Sequence, residues 1–196
     1  MLYTLTGTAT YQEDIKKSRF LAYATAVRSP SDALRFFADQ GVPEATHNCW
    51  AYRIGNEYRF NDDGEPGGTA GRPILQAIEG QLCDRVAVLV VRWFGGIKLG
   101  PGGLIRAYGG VAAQCLRSAE KEELIDEVAV DCRCDFADMA VVQSRFTAYQ
   151  ARIVSETFDG KGVCWGLAIP RSKEAALAEV FGNLTRGQGV WRAASD

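Results

Sequence analysis

"VAVLVVRWFGGIKLGPGGLIRAYGG", residues 86–110, decides how the first half of the chain is read. Its opening, Val86–Val91, is an unbroken apolar run. Six residues are far too few to span a bilayer, and they suit a buried strand. A glycine-rich segment follows. Pro101 then stands where a helix would begin, because a helix's first turn has no use for the N–H that proline lacks. Leu104, Ile105, Tyr108, Ala112, Cys115 and Leu116 continue at helical spacing. The stretch predicts a strand over 85–93, a loop, and a helix over 101–118.

Working outward, strands are expected over 2–10 and 19–28, then a helix over 31–40. "SPSDALRFFADQG" carries Leu34, Phe36 and Phe37 inside and Gly41 at its end, which is a helix with a terminator. Strands over 49–54 and 57–61 form a hairpin turning at Gly55-Asn56. A helix over about 70–80 starts near Pro73, with Ile74, Leu75, Ile78 and Leu82 as its apolar side. The acidic "AEKEELIDE", 119–127, reads as a bridge.

Beyond it lie strand 125–135, helix 137–149, strand 151–158, a "DGKG" turn, strand 163–169, helix 172–184 and strand 188–193. That β-α-β-β-α-β order is the ferredoxin-like split βαβ. The fold class expected is therefore α+β in two domains, 1–124 and 125–196.

Composition narrows function. With 47% hydrophobic and 23% charged residues over 196 positions, the chain is of ordinary globular make-up rather than disordered. The net charge is −2 and the pI about 5.6. Residues 1–124 hold 14 basic and 14 acidic side chains, and the remainder 8 and 10. Bulk charge does not drive nucleic-acid binding here, so any such contact needs a local patch. The amino-terminal "MLYTLTGTATYQEDIKKSR" has no apolar run of signal-peptide length. The six cysteines, at 49, 83, 115, 132, 134 and 164, include no CxxC. Reduced thiols, a cytoplasmic setting and no membrane association are expected. Cys132 and Cys134 read as two small apolar side chains on one strand face.

A second glycine-rich stretch, "NDDGEPGGTAGRP", 61–73, also leads into a helix. Helix N-termini expose free N–H groups and favour anions, and glycine lets an anion approach the backbone. Arg72, Arg92, Lys98 and Arg106 supply full charges nearby. The candidate anion or nucleic-acid site is therefore Asp63, Glu65, Gly68, Thr69, Arg72, Arg92, Lys98, Gly102 and Arg106. Glycines serving only turns and close packing are the plain alternative.

Nucleotide motifs fail. Gly95 and Gly100 have Walker A spacing, but Pro101 stands where Lys is required. Gly100 and Gly102 fit a dinucleotide fingerprint, but Ile105 replaces its last glycine. No nucleotide cofactor is expected. The acids lack EF-hand spacing. Three roles stay open for them: holding Mg²⁺ with a bound phosphate, capping helix N-termini, or bracing the arginines. No catalytic residue and no metal site are assigned. His47, the single histidine, lies two from Cys49, so a Cys–His nucleophile oriented by Asp62 or Asp63 is the enzymatic alternative. Zinc lacks ligands. "KKSRF", 16–20, is a short basic run beside an aromatic.

"NDDGEPGGTAGRPILQAI" and "VVRWFGGIKLGPGGLIRAY", preceded by "ATHNCWAYRI", resemble the paired signature of the IMPACT family in its bacterial, YigZ-type form. The resemblance covers about residues 1–125. The second half is similar to a late domain of elongation factor G. The resemblance implies an amino-terminal α/β domain of ribosomal-protein and elongation-factor type. It also implies a non-enzymatic, translation-associated regulatory role, with RNA, the ribosome or a translation-related protein as partner. It brings no cofactor and no catalytic residues. The resemblance also implies that eukaryotic relatives regulate translation initiation under stress by competing for an activator of an initiation-factor kinase; they carry a different extra domain, absent here, so that partner does not transfer. A hydrolase built on the acidic loop, or a protein-interaction adaptor, are the competing readings.

Overall fold

The computed structural model describes residues 1–193; residues 194–196, the end of the expected second domain, lie outside the described residues. The chain is mixed α/β and separates into two compact units, Met1–Leu124 and Ile125–Asp196.

In the first unit, β2 (Ala9–Ile15), β3 (Ser18–Ala26), β6 (Val86–Trp93), β4 (His47–Ile54) and β5 (Glu57–Asn61) form one antiparallel sheet in that spatial order. Strand β6 is central, between β3 and β4. Its continuous apolar run follows from that place, since both of its faces are covered. Val86, Val88 and Val90 join the core under α2 (Gly71–Gly80) and α3 (Pro101–Ser118), while Ala87, Leu89 and Val91 meet α1 (Pro30–Gln40) on the other side. Burying each of these valine and leucine side chains contributes about 1.5–3 kcal/mol. Helix α1 starts where Ser29 accepts the N–H of Asp32, an N-cap that satisfies one orphan donor.

Two expectations need correcting. The strand expected over 2–10 is two strands. β1 (Leu2–Leu5) pairs antiparallel with β7 (Lys121–Leu124), and after Thr6–Thr8 the chain enters β2 in the larger sheet. The "AEKEELIDE" bridge likewise contains a strand, β7. Its central glutamates are exposed, so its pairing comes from backbone hydrogen bonds and leaves no apolar alternation to read.

The second unit has the βαββαβ order. β8 (Glu127–Asp135), α4 (Phe136–Phe146), β9 (Arg152–Phe158), β10 (Gly162–Pro170), α5 (Arg171–Leu184) and β11 (Val190–Ala193) build a sheet ordered β11-β8-β10-β9, antiparallel throughout. This is the ferredoxin-like arrangement. Val142 and Phe146 of α4, with Leu177 and Phe181 of α5, pack on Cys132, Cys134, Trp165 and Leu167. Cys132 and Cys134 face that core.

The "DGKG" turn is held by Asp159, which accepts N–H groups from Lys161 and Gly162 and pairs with Arg133 at 2.8 Å. The Arg133 hydrogen bond, then those backbone donors, hold the Asp159 carboxyl well below the usual carboxylate range. The folded state therefore favours the ionised form. Its contribution is complete above the ordinary value near 4 and is lost as pH falls below it. Asp159→Asn should narrow the gap in urea stability between about pH 6 and about pH 2.5. An unchanged gap would remove Asp159 from the acid response.

Candidate functional site

The acidic loop is braced from within. Asp62 accepts the N–H groups of Ala70 and Gly71 on Oδ1 (3.0 and 2.8 Å) and that of Gly68 on Oδ2 (2.8 Å). It thereby supplies the cap that Ala70, at the helix's own N-cap position, cannot. Thr69 closes the loop by donating its hydroxyl to the Pro66 carbonyl at 2.6 Å. Asp63 accepts the Asn48 N–H at 2.6 Å, tying the loop to β4. Gly71 must be glycine, because a Cβ there would lie 2.7 Å from the Asn61 carbonyl oxygen.

This bracing delivers Glu65 to a buried position, its side chain 4% exposed. Arg92, on β6, donates from Nη1 to Glu65 Oε1 at 2.6 Å, and the Tyr108 hydroxyl of α3 donates to the same oxygen at 2.7 Å. Arg92 also donates to Ser18 Oγ at 3.2 Å, while its buried Nε has no hydrogen-bond partner among the described residues. Burial pushes the Tyr108 phenol far up, so it stays a donor. His47 Nδ1 lies 2.7 Å from the Asp63 carbonyl. A carbonyl only accepts, so Nδ1 carries the proton and Nε2 faces Glu65, 3.8 Å from Oε1.

Below this cluster Cys49 donates its thiol to the Asp62 carbonyl at 3.0 Å. Burial, as the main cause, pushes that thiol up to about 12. A buried thiol that ionises so reluctantly is a poor nucleophile, and the Cys–His alternative has no activated cysteine to use. Among the described residues no cluster of His, Cys, Asp and Glu is arranged to hold a metal ion, and no helix is long and apolar enough to cross a membrane.

Glu65, His47 and Arg92 form the floor of a groove of about 400 Å³, walled by Pro66, Phe94, Leu99, Pro101 and Leu104 and edged by Lys98. One side is the start of α3. Gly100 takes φ +74°, Pro101 follows at the first helical position, and no side chain caps the helix. The N–H groups of Gly102 and Gly103 therefore point out of the helix without intrahelical acceptors. Leu99 separates this groove from a hollow of about 180 Å³ bordered by Lys16 and Arg106. The β2–β3 turn, with Lys16 and Lys17 both at positive φ, is pressed against Gly95. A Cβ on Gly95 would collide with the Lys17 carbonyl, so only glycine lets turn and loop approach this closely.

The expected site residues thus divide. Lys98, Gly102 and Arg106 are exposed around the start of α3. Glu65, Thr69 and Arg92 are buried and engaged with protein partners, and the Gly68 N–H is taken by Asp62. Asp63 is exposed beside His47, and Arg72 lies exposed in the first turn of α2. Tyr108, Ser18 and Leu99 are additions that sequence reasoning does not reach. Tyr108 reads only as one apolar position of a helix, and nothing in its spacing announces the Glu65 bond.

Residues 16–116, which contain the loop, the groove and all but the last two residues of α3, match the Impact N-terminal domain family. The chain belongs to the IMPACT family. An IMPACT family member of Thermus thermophilus is 49% identical over 90% of this chain and 98% of its own length. The Escherichia coli member YigZ is 30% identical over 91% and 90%. An IMPACT homologue of Dictyostelium discoideum is 37% identical over 43% of this chain and 27% of its own, a similarity restricted to part of each. A crystal structure described as a hypothetical protein superposes over 100% of this chain and 98% of its own with a TM-score of 0.69 at 28% identity.

Because removing one partner strands a buried charge, Glu65→Leu should destabilise the protein by roughly 3–5 kcal/mol. Glu65→Leu with Arg92→Met should recover most of that loss, read from urea denaturation. A double variant no more stable than the single would show that the pair's charges are not what couples these residues.

Proposed function

We propose that this IMPACT family member binds RNA, free or within the ribosome, and serves translation as a regulator without catalysing a reaction. The observation that carries the reading is the exposed cation set Lys16, Lys17, Lys98 and Arg106 around the uncapped start of α3. Free N–H groups at a helix start and long cationic side chains beside them suit successive phosphates. With a net charge of −2, attraction for RNA has to come from a local cationic patch such as this one. Arg92 adds no net charge to it, since Glu65 neutralises it at 2.6 Å.

The family resemblance supports the link to translation, and the burial that pushes the Cys49 thiol up to about 12 weakens the Cys–His form of the enzymatic alternative. The floor of the groove holds a carboxylate, so phosphate contact belongs to the rim: Lys98, Arg106, Gly102 and Gly103, with Lys16 and Lys17 extending the track.

Binding of a single-stranded decamer of uridines should be tight at low salt and weaken steeply as salt rises. Lys98→Ala and Arg106→Ala should each reduce affinity and lower the slope of log K against log salt by about 0.7 for each phosphate no longer neutralised. Arg145→Ala, in the second unit, should change neither. Absence of RNA binding and of ribosome cosedimentation at low salt, or full binding by a Lys98→Ala/Arg106→Ala double variant, would sink the proposal.

A further inference from the structure

The groove floor carries a group that phosphate binding leaves unused. Glu65 is 8% exposed overall, yet every hydrogen bond it accepts falls on Oε1, from Arg92 and from Tyr108. Its Oε2 takes no hydrogen bond from the described residues, and Glu65 lines the groove. A carboxylate oxygen open to the groove is an acceptor with two lone pairs and no donor function. It therefore suits a ligand that brings N–H groups to the point of contact.

The rest of the groove specifies the ligand's shape. Its volume of about 400 Å³ lies within the ~300–1,000 Å³ of small-ligand sites. Leu99, Pro101 and Leu104 give it apolar walls, and Phe94 stands at the rim, 44% exposed. An exposed aromatic beside an apolar slot is a stacking platform for a flat ring. At the mouth, Lys98 and the uncapped start of α3 offer a place for a negative group. Flat ring, N–H donor edge and attached anion together describe a nucleotide.

Among the four RNA bases the donor edge discriminates. Guanine presents N1–H and the N2 amino group side by side. Adenine and cytosine place a ring-nitrogen acceptor beside their amino group, and uracil flanks its single N–H with two carbonyl oxygens. A single carboxylate oxygen can accept from both of guanine's adjacent donors, whereas none of the other three bases presents two donor groups side by side.

We propose that the groove is a pocket for one unstacked guanine base, with Phe94 stacking on the ring, Glu65 Oε2 accepting from the N1–H and N2–H₂ edge, and Lys98 with the first-turn N–H groups of α3 holding the attached phosphate. This deepens the RNA reading above and rests on it where the base belongs to a strand. The same chemistry fits a free guanine nucleotide, and the experiment separates the two sources.

Fluorescence anisotropy compares a labelled uridine decamer with the same decamer carrying one central guanosine. The wild-type protein should bind the guanosine-containing strand about tenfold more tightly, the discrimination of one well-made base contact. Glu65→Gln should bring the ratio of the two affinities, guanosine strand over uridine strand, down to about one whatever it does to overall affinity, since phosphate contacts carry no sequence information. Phe94→Ala should weaken the guanosine strand more than the uridine strand.

Because Glu65→Gln also disturbs Arg92, a second arm uses the unaltered protein. Guanosine monophosphate titrated into ¹⁵N-labelled protein should shift the Gly102 and Gly103 amides and the His47 ring, and adenosine or uridine monophosphate should not. Equal wild-type affinity for the two decamers, with no selective shift by guanosine monophosphate, overturns the pocket while leaving the RNA surface standing. If neither decamer binds, the RNA reading fails. The selective nucleotide shifts then decide whether the pocket takes a free guanine nucleotide or is overturned as well.

Discussion

The first unit is organised around one buried ion pair. Glu65 comes from the acidic loop and Arg92 from the central strand, and they meet at 2.6 Å with both side chains almost fully enclosed. Neither charge is tolerable there alone. The pair therefore fixes the acidic loop against the sheet, and Tyr108 joins α3 to the same oxygen. Strand, loop and helix are locked to one another at a single carboxylate. The groove exists because those three elements are held at that spacing.

The other acids of the loop make the meeting possible. Asp62 caps the second helix from a distance and anchors the backbone that carries Glu65, while Asp63 ties it to β4 and orients His47. A stretch that looks like a phosphate loop thus spends its glycines and acids on its own construction. Inside the groove, Glu65 Oε2 takes no hydrogen bond from the described residues. Lys98 and Arg106 stay exposed at the rim, and the fit of the Lys16–Lys17 turn onto Gly95 sets Lys16 beside Arg106.

Much of this architecture is legible in the residues. The apolar run at 86–91 marks the central strand because burial on both faces erases polar alternation. Pro101 and Pro73 mark the helix starts, and the βαββαβ order of the second unit follows from strand and helix periods alone. What is not legible is whatever depends on pairing across distance. β7 has no apolar pattern, so only its partner β1 reveals it. The division of the arginines is equally hidden. Arg72, Arg92 and Arg106 look alike in sequence, and only the fold assigns Arg92 to Glu65 and leaves Arg106 outside. Tyr108 carries a helix's apolar spacing and, at the same time, a hydroxyl whose partner lies 43 residues away.

The RNA surface proposed at the start of α3 is the point on which function turns. Photo-crosslinking of a single-stranded RNA to the intact chain at low salt, read by mass spectrometry of the attached peptides, locates it. Crosslinks are expected at Phe94 and within residues 97–106. Crosslinks confined to the second unit, with none in the groove or its rim, would contradict a binding surface built on the start of α3.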